Sequence, residues 1–125
     1  MKSILIVDDE VGARESLKMV FKDDYEVLLA KNGEEALAKV SKYAPDIILL
    51  DIMLPDIDGL KVLEQIRQEN KQIPVIMITA TETAKTAVQA MKLGANEYFM
   101  KPFDVKELRL KVSHAISDQA IQKEQ

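Results

Sequence analysis

The sequence predicts an α/β fold in one domain: a parallel five-stranded sheet with helices on both faces. Three observations carry that reading. Short apolar runs rich in β-branched residues alternate with segments of helical spacing, five of each and in strict succession. The apolar runs are continuous rather than alternating, which is the pattern of strands buried on both faces. No linker interrupts the alternation, so each helix carries the chain back to start a parallel neighbour.

Each element has its own signal. Ile4-Leu5-Ile6-Val7 reads as the first strand and closes on Asp8-Asp9, after which Ala13, Leu17, Val20 and Phe21 share a helical face. Val27-Leu28-Leu29, within Tyr25 to Ala30, reads as the second strand. Asn32 with Glu35 three residues on makes a capping-box start for the second helix, whose apolar face is Ala36, Leu37 and Val40. Ile47-Ile48-Leu49-Leu50 is the third strand and ends at Asp51. The run Asp56-Ile57-Asp58-Gly59 is too short for a calcium loop and lacks the distal glutamate. It reads as a turn and cap for a third helix that buries Leu60, Leu63 and Ile66. Val75-Ile76-Met77-Ile78 is the fourth strand and ends at Thr79. The fourth helix, Glu82 to Leu93, has a narrow apolar stripe of Ala84, Val88 and Met91 and stops at Gly94. Tyr98-Phe99-Met100 is the fifth strand and ends at Lys101-Pro102; Val105, Leu108, Val112 and Ala115 face inward from the fifth helix.

Composition narrows the function classes. At 125 residues the chain can bury a core without staples, and its 47% hydrophobic and 30% charged content is that of an ordinary soluble domain. Without cysteine there is no disulfide scaffold, thiolate metal site or thiol catalysis. A net charge of −4 argues against direct nucleic-acid contact, which wants a basic surface. No apolar run approaches a membrane span, and the start leads straight into a strand rather than a secretory signal, so the expected address is the cytoplasm. The six methionines read as core filler, and the lone His114 as a surface residue of the last helix.

The most uniformly apolar runs, those starting at Ile4, Ile47 and Val75, belong in the centre, and the more polar second and fifth runs at the edges. That gives the flavodoxin-like order 2-1-3-4-5, whose functional crevice lies beyond the carboxyl ends of the strands. The residues there are Asp8, Asp9 and Glu10, then Asp51, Thr79 and Lys101. Three converging carboxylates repel one another unless a cation neutralises them. With oxygen ligands only, the fitting cation is magnesium, with manganese or calcium as substitutes. A carboxylate beside such an ion and a lysine is equipped to attack a phosphoryl group, and Thr79 adds a hydroxyl donor. Taken singly, each residue has a plainer role. Asp8 or Asp9 would cap a helix, Asp51 would sit in a turn before Leu54-Pro55, and Thr79 would cap the fourth helix. Lys101 would be solvated and Tyr98 would pack on an edge strand. Their joint arrival at strand ends favours a shared site.

The segments Ile-Leu-Ile-Val-Asp8-Asp9-Glu, Leu-Leu-Asp51-Ile-Met-Leu-Pro-Asp-Ile-Asp-Gly, Ile-Met-Ile-Thr79-Ala and Tyr98-Phe-Met-Lys101-Pro-Phe occur in that order. Together they resemble a response-regulator receiver domain of bacterial two-component signalling, over Ile4 to about Ile116. The resemblance implies that Asp51 is the phosphoacceptor and that Asp8, Asp9, Asp51 and the Met53 carbonyl bind Mg2+. It implies Lys101 as the phosphate-binding lysine, Thr79 and Tyr98 as the switch pair, and a cis bond between Lys101 and Pro102. It further implies a sensor histidine kinase as donor, a homodimer through the fourth helix, fifth strand and fifth helix on activation, and no turnover of a substrate beyond slow self-dephosphorylation. The run Thr86 to Ala95 is most similar to receivers of nitrogen-regulation-type transcription activators.

Two other classes share parts of this pattern. A haloacid-dehalogenase-like phosphatase carries a second Asp two residues after its nucleophile, where this chain has Met53. A flavin-binding module needs glycines and free amides in its first loop, which here is acidic. Residues 1–116 are thus expected to form the receiver, and 117–125 to prolong the last helix as the start of a linker to an output domain; a freestanding regulator is the alternative. Leu110, His114, Ser117 and Ile121 form a weak seam on which two such helices would pair.

Overall fold

In the computed structural model, which describes residues 1–80 and 84–124, strands and helices alternate throughout. They are β1 (Ser3–Val7), α1 (Val11–Phe21), β2 (Glu26–Ala30), α2 (Gly33–Tyr43), β3 (Ile47–Leu50), α3 (Gly59–Glu69), β4 (Val75–Thr79), α4 (Ala84–Lys92), β5 (Glu97–Met100) and α5 (Val105–Glu124). The sheet is parallel in the order β2-β1-β3-β4-β5, with the expected strands at its centre and edges. Successive strand side chains point to opposite faces, so each central strand feeds two cores. Leu5, Val7, Ile48, Leu50, Val75 and Met77 meet residues of α2, α3 and α4 on one face. Ile4, Ile6, Ile47, Leu49, Ile76 and Ile78 meet α1 and α5 on the other.

Local signals account for the helix ends. Asn32 accepts from the Glu35 N–H at 2.8 Å and starts α2, and Asp58 accepts from the Leu60 N–H at 2.8 Å and starts α3. Gly94 follows α4 with φ +107°, a backbone that favours glycine.

Three expectations are corrected. The packed side of α4 is not the Val88 and Met91 stripe: both are exposed, while Ala90 is fully buried and Leu93 is partly buried. Small alanines let this helix lie close to the sheet, and the bulkier residues are left outside. Val105 is exposed at the start of α5, which buries Leu108 and Val112 instead. Of the methionines only Met77 is core; Met1, Met19, Met53, Met91 and Met100 are exposed. The expected helix start at Glu82 lies outside the described residues, as do the side chains of Ala84 and Ile121.

Candidate functional site

Register sets the site. Val7 of β1 pairs with Leu50 of β3, so the next residue of each strand, Asp8 and Asp51, emerge side by side. Their backbone N–H groups continue the sheet, from Asp8 to the Ala30 carbonyl at 3.1 Å and from Asp51 to the Val7 carbonyl at 3.0 Å. Thr79 of β4 pairs with Met100 of β5, and the Lys101 N–H donates to the Thr79 carbonyl at 2.9 Å. Asp8, Asp51 and Thr79 are the only buried polar residues among those described. All three stand at the carboxyl ends of central strands. Burial of polar groups is costly, and here it is confined to the crevice.

The side chains are tightly engaged. Lys101 Nζ donates to Asp8 Oδ2 at 2.7 Å and to Asp51 Oδ2 at 3.1 Å. The Met53 N–H donates to Asp51 Oδ1 at 2.9 Å, and the Glu10 N–H to Asp8 Oδ1 at 3.0 Å. Neither Asp8 nor Asp9 is the N-cap of α1: that residue is Glu10, and its own side chain makes no cap hydrogen bond. Carboxylate oxygens of Asp8, Asp9 and Asp51 lie within 4.8 Å of one another, and among the described residues no other such trio exists. The crevice has a volume of about 380 Å³ and is lined by Asp9, Asp51, Met53, Leu54, Pro55 and Lys101, among others.

Three carboxylates facing one ammonium leave an excess of negative charge. Burial pushes the Asp51 carboxyl above its ordinary value. The Met53 amide and Lys101 pull it back, the Asp8 charge adds to the rise, and burial prevails. For Lys101, burial works to lower the pKa, but hydrogen bonds to Asp8 and Asp51 and their charges outweigh it, so the ammonium is held more firmly than usual. The Tyr98 hydroxyl is raised by burial and then by the Asp51 charge, which places it within the field of the crevice. The donor set is all oxygen, partly buried and over-negative, and it fits a hard divalent cation.

The structure thus brings together Asp8, Asp9, Asp51 and Lys101, with the Met53 amide on Asp51 and Thr79 at the adjoining strand end. Tyr98 sits one strand away, its ring packed on the core shared with α2, α3 and α4. The Lys101–Pro102 bond is cis. Sequence reasoning missed Arg14, whose Nη1 donates to the Asp8 carbonyl at 2.7 Å. A signal existed: a cation near a helix N-terminus opposes the helix dipole and needs a local acceptor.

Known proteins resemble this chain in sequence and in fold. The family model for the response regulator receiver domain matches residues 4–113. The regulatory protein AtoC of Escherichia coli is 42% identical over 122 residues, 97% of this chain and 26% of that protein. The alkaline phosphatase synthesis transcriptional regulatory protein PhoP of Bacillus subtilis is 40% identical over 112 residues, 89% of this chain and 47% of that protein. The chain therefore spans about a quarter to a half of the length of such curated relatives. Among solved structures, a CheY-like receiver domain protein from Methanospirillum hungatei superposes with a TM-score of 0.94 at 32% identity, covering 98% of both chains. NtrX from Brucella abortus gives 0.90 at 34% identity, covering 98% of this chain and 29% of that one. No helix among the described residues is long and apolar enough to cross a membrane. With 110 consecutive positions matched and the acidic crevice at the strand ends, the chain belongs to the response regulator receiver domain family.

Proposed function

We propose that this receiver domain is a phosphorylation-dependent switch in which Asp51 takes a phosphoryl group from a histidine kinase. The observation that carries the reading is the Asp51 carboxylate itself. It is buried and held by the Met53 amide and Lys101, and burial works against its charge. One carboxylate oxygen forms the new O–P bond as the N–P bond of the donor phosphohistidine breaks and the imidazole leaves. Asp8, Asp9, Asp51 and the Met53 carbonyl would hold Mg2+, which supplies charge to the transferring phosphoryl oxygens when bound. Lys101, already within 3.1 Å of Asp51, gives those oxygens a second cation. Thr79 and Tyr98 report the new charge: the Thr79 hydroxyl turns to the phosphoryl group, and the Tyr98 ring follows into the space released.

A near-complete switch needs about 5.5 kcal/mol of bias between states. Charged hydrogen bonds contribute roughly 1.5–3 kcal/mol each, so Lys101, Thr79 and a backbone amide suffice. The receiving surface is α4, β5 and α5, where Val88, Met91, Met100, Val105 and Leu110 are exposed. Apolar exposure of that kind suits a homodimer formed on activation. Leu110, His114 and Ser117 along α5 are also exposed and extend the pairing surface. Residues 117–125 carry the signal on toward an output domain for transcription control, as the similarity to transcriptional regulators suggests.

The test is phosphoryl uptake from acetyl phosphate with magnesium, followed by intact mass. The wild type gains one phosphate per chain and Asp51→Asn gains none. Uptake by Asp51→Asn at the wild-type rate would sink the assignment.

A further inference from the structure

The loop between β3 and α3 forms a wall of the crevice through Met53, Leu54 and Pro55. Its two ends are fixed at the sheet. The Met53 N–H donates to Asp51, the Gly59 N–H donates to the Ile52 carbonyl at 2.8 Å, and a Cβ on Gly59 would stand 2.3 Å from the Asp51 carbonyl oxygen. The middle is fixed elsewhere. Asp56 Oδ1 accepts from the Gly33 N–H at 2.8 Å, and its Oδ2 accepts from the Glu34 N–H at 2.9 Å. Those are the first two residues of α2, and Asn32 takes the third amide, that of Glu35. A loop carboxylate from elsewhere in the chain thus completes the cap of α2.

The fit is close and directional. Amides at a helix N-terminus favour an anion, and they hold the Asp56 carboxyl below its ordinary range, the Glu34 amide first and the Gly33 amide second. A Cβ on Gly33 would stand 2.9 Å from Val62 Cγ2 and 3.0 Å from Ile57 Cβ, so loop and helix are in contact at the clasp. Engagement of both carboxylate oxygens sets orientation as well as distance. Magnesium tolerates little error in ligand position, so the stance of this loop matters to a carbonyl ligand three residues away.

Resting on the reading of the crevice as a divalent-cation and phosphoryl site, we propose that Asp56 is a positioning residue for it. By clasping the β3–α3 loop to the first turn of α2, it sets where Met53 and the crevice wall stand, and it raises cation affinity without touching the ion. The experiment is calorimetric titration of the full chain with MgCl2, with amide hydrogen exchange of residues 52–57 measured before metal is added. Asp56→Ala is expected to bind about tenfold more weakly, on the scale seen when groups supporting a metal ligand are removed, and to expose its loop amides. Asp56→Asn, which keeps one acceptor, falls between. Asp58→Asn removes a charge from the same loop, preserves the α3 cap and keeps wild-type affinity. Wild-type affinity in Asp56→Ala overturns the clasp, and so does an equal loss in Asp58→Asn, because charge alone would then explain it. Retention of affinity by Asp51→Asn overturns the reading of the crevice itself, a result separable from either.

Discussion

Two cations sit at opposite ends of the same sheet, and their surroundings differ in kind. At the carboxyl ends of the strands, Lys101 faces Asp8 and Asp51, with Asp9 close by. At the amino ends, the Arg67 guanidinium faces neutral acceptors alone among the described residues: the carbonyls of Gly94 at 2.9 Å, Ile73 at 2.6 Å and Asn70 at 3.2 Å, and Asn96 Oδ1 at 3.0 Å. Burial lowers the Arg67 pKa, yet guanidinium stays charged at any working pH and its fork is well matched. Among the described residues no buried side-chain polar atom lacks a partner, so both ends are satisfied in hydrogen bonds. They differ in charge. The Arg67 end spreads one charge over neutral dipoles, whereas the Lys101 end gathers three carboxylates against one ammonium, a set that suits a further cation. A stable fold saturates its polar groups wherever it can, so an unbalanced cluster marks where stability has yielded to chemistry.

If the Arg67 end is structural, breaking it should be the costliest change. Arg67→Ala strips partners from three carbonyls in two loops, α3–β4 and α4–β5, and the expected loss is about 3 kcal/mol in urea unfolding. Arg67→Lys recovers less than half, because an ammonium cannot span the fork of acceptors. Phosphoryl uptake by the folded Arg67→Lys protein stays at the wild-type rate. A loss below about 1 kcal/mol for Arg67→Ala would mean that water replaces the guanidinium, and the contrast between the two ends would weaken.

Gly94 sharpens the same point. Its φ of +107° is hostile to a side chain, and a Cβ there would stand 2.9 Å from Arg67 Nε. Gly94→Ala is expected to cost about 2 kcal/mol, part backbone strain and part collision. In the Arg67→Ala background the collision vanishes and only the strain is left, so the cost should fall to about 1 kcal/mol. Equal costs in both backgrounds would show that Arg67 yields freely and is not the rigid hub its four bonds suggest.

The two ends also differ in how far they can be read from the sequence. Strand order and the crevice are legible because apolar runs end abruptly in Asp, Thr and Lys, and parallel topology then gathers those ends. Arg67 is not, since its acceptors are mostly backbone carbonyls, which carry no residue signature. In the sequence Asp56 reads as part of a turn, and its partners on α2 are amides that any residue would offer. The α4 face differs from the sequence expectation because a hydrophobic stripe favours Val88 and Met91, while close packing on the sheet favours Ala90. Pattern identifies which side chains are apolar; how near a helix approaches the sheet is decided by the small ones.

The smallest effect has the opposite sign and tests the Lys101 end. Burial and the neighbouring Asp8 charge raise the Asp51 pKa, so the folded state holds that proton more readily than the unfolded chain does. The ionised carboxylate therefore costs stability in full above the folded pKa. The cost fades as pH falls through that value toward the unfolded one near 3.9. Asn cannot ionise but keeps an oxygen for the Met53 amide. In metal-free buffer at pH 7, Asp51→Asn should be more stable than the wild type by about 1 kcal/mol, or some 4 °C in Tm. Its advantage should shrink as the buffer is acidified below the folded Asp51 pKa, and added MgCl2 should stabilise the wild type more than the variant. If Asp51→Asn proved less stable at every pH, the ion pair with Lys101 would outweigh burial and repulsion, and the crevice would be as complete as the Arg67 end.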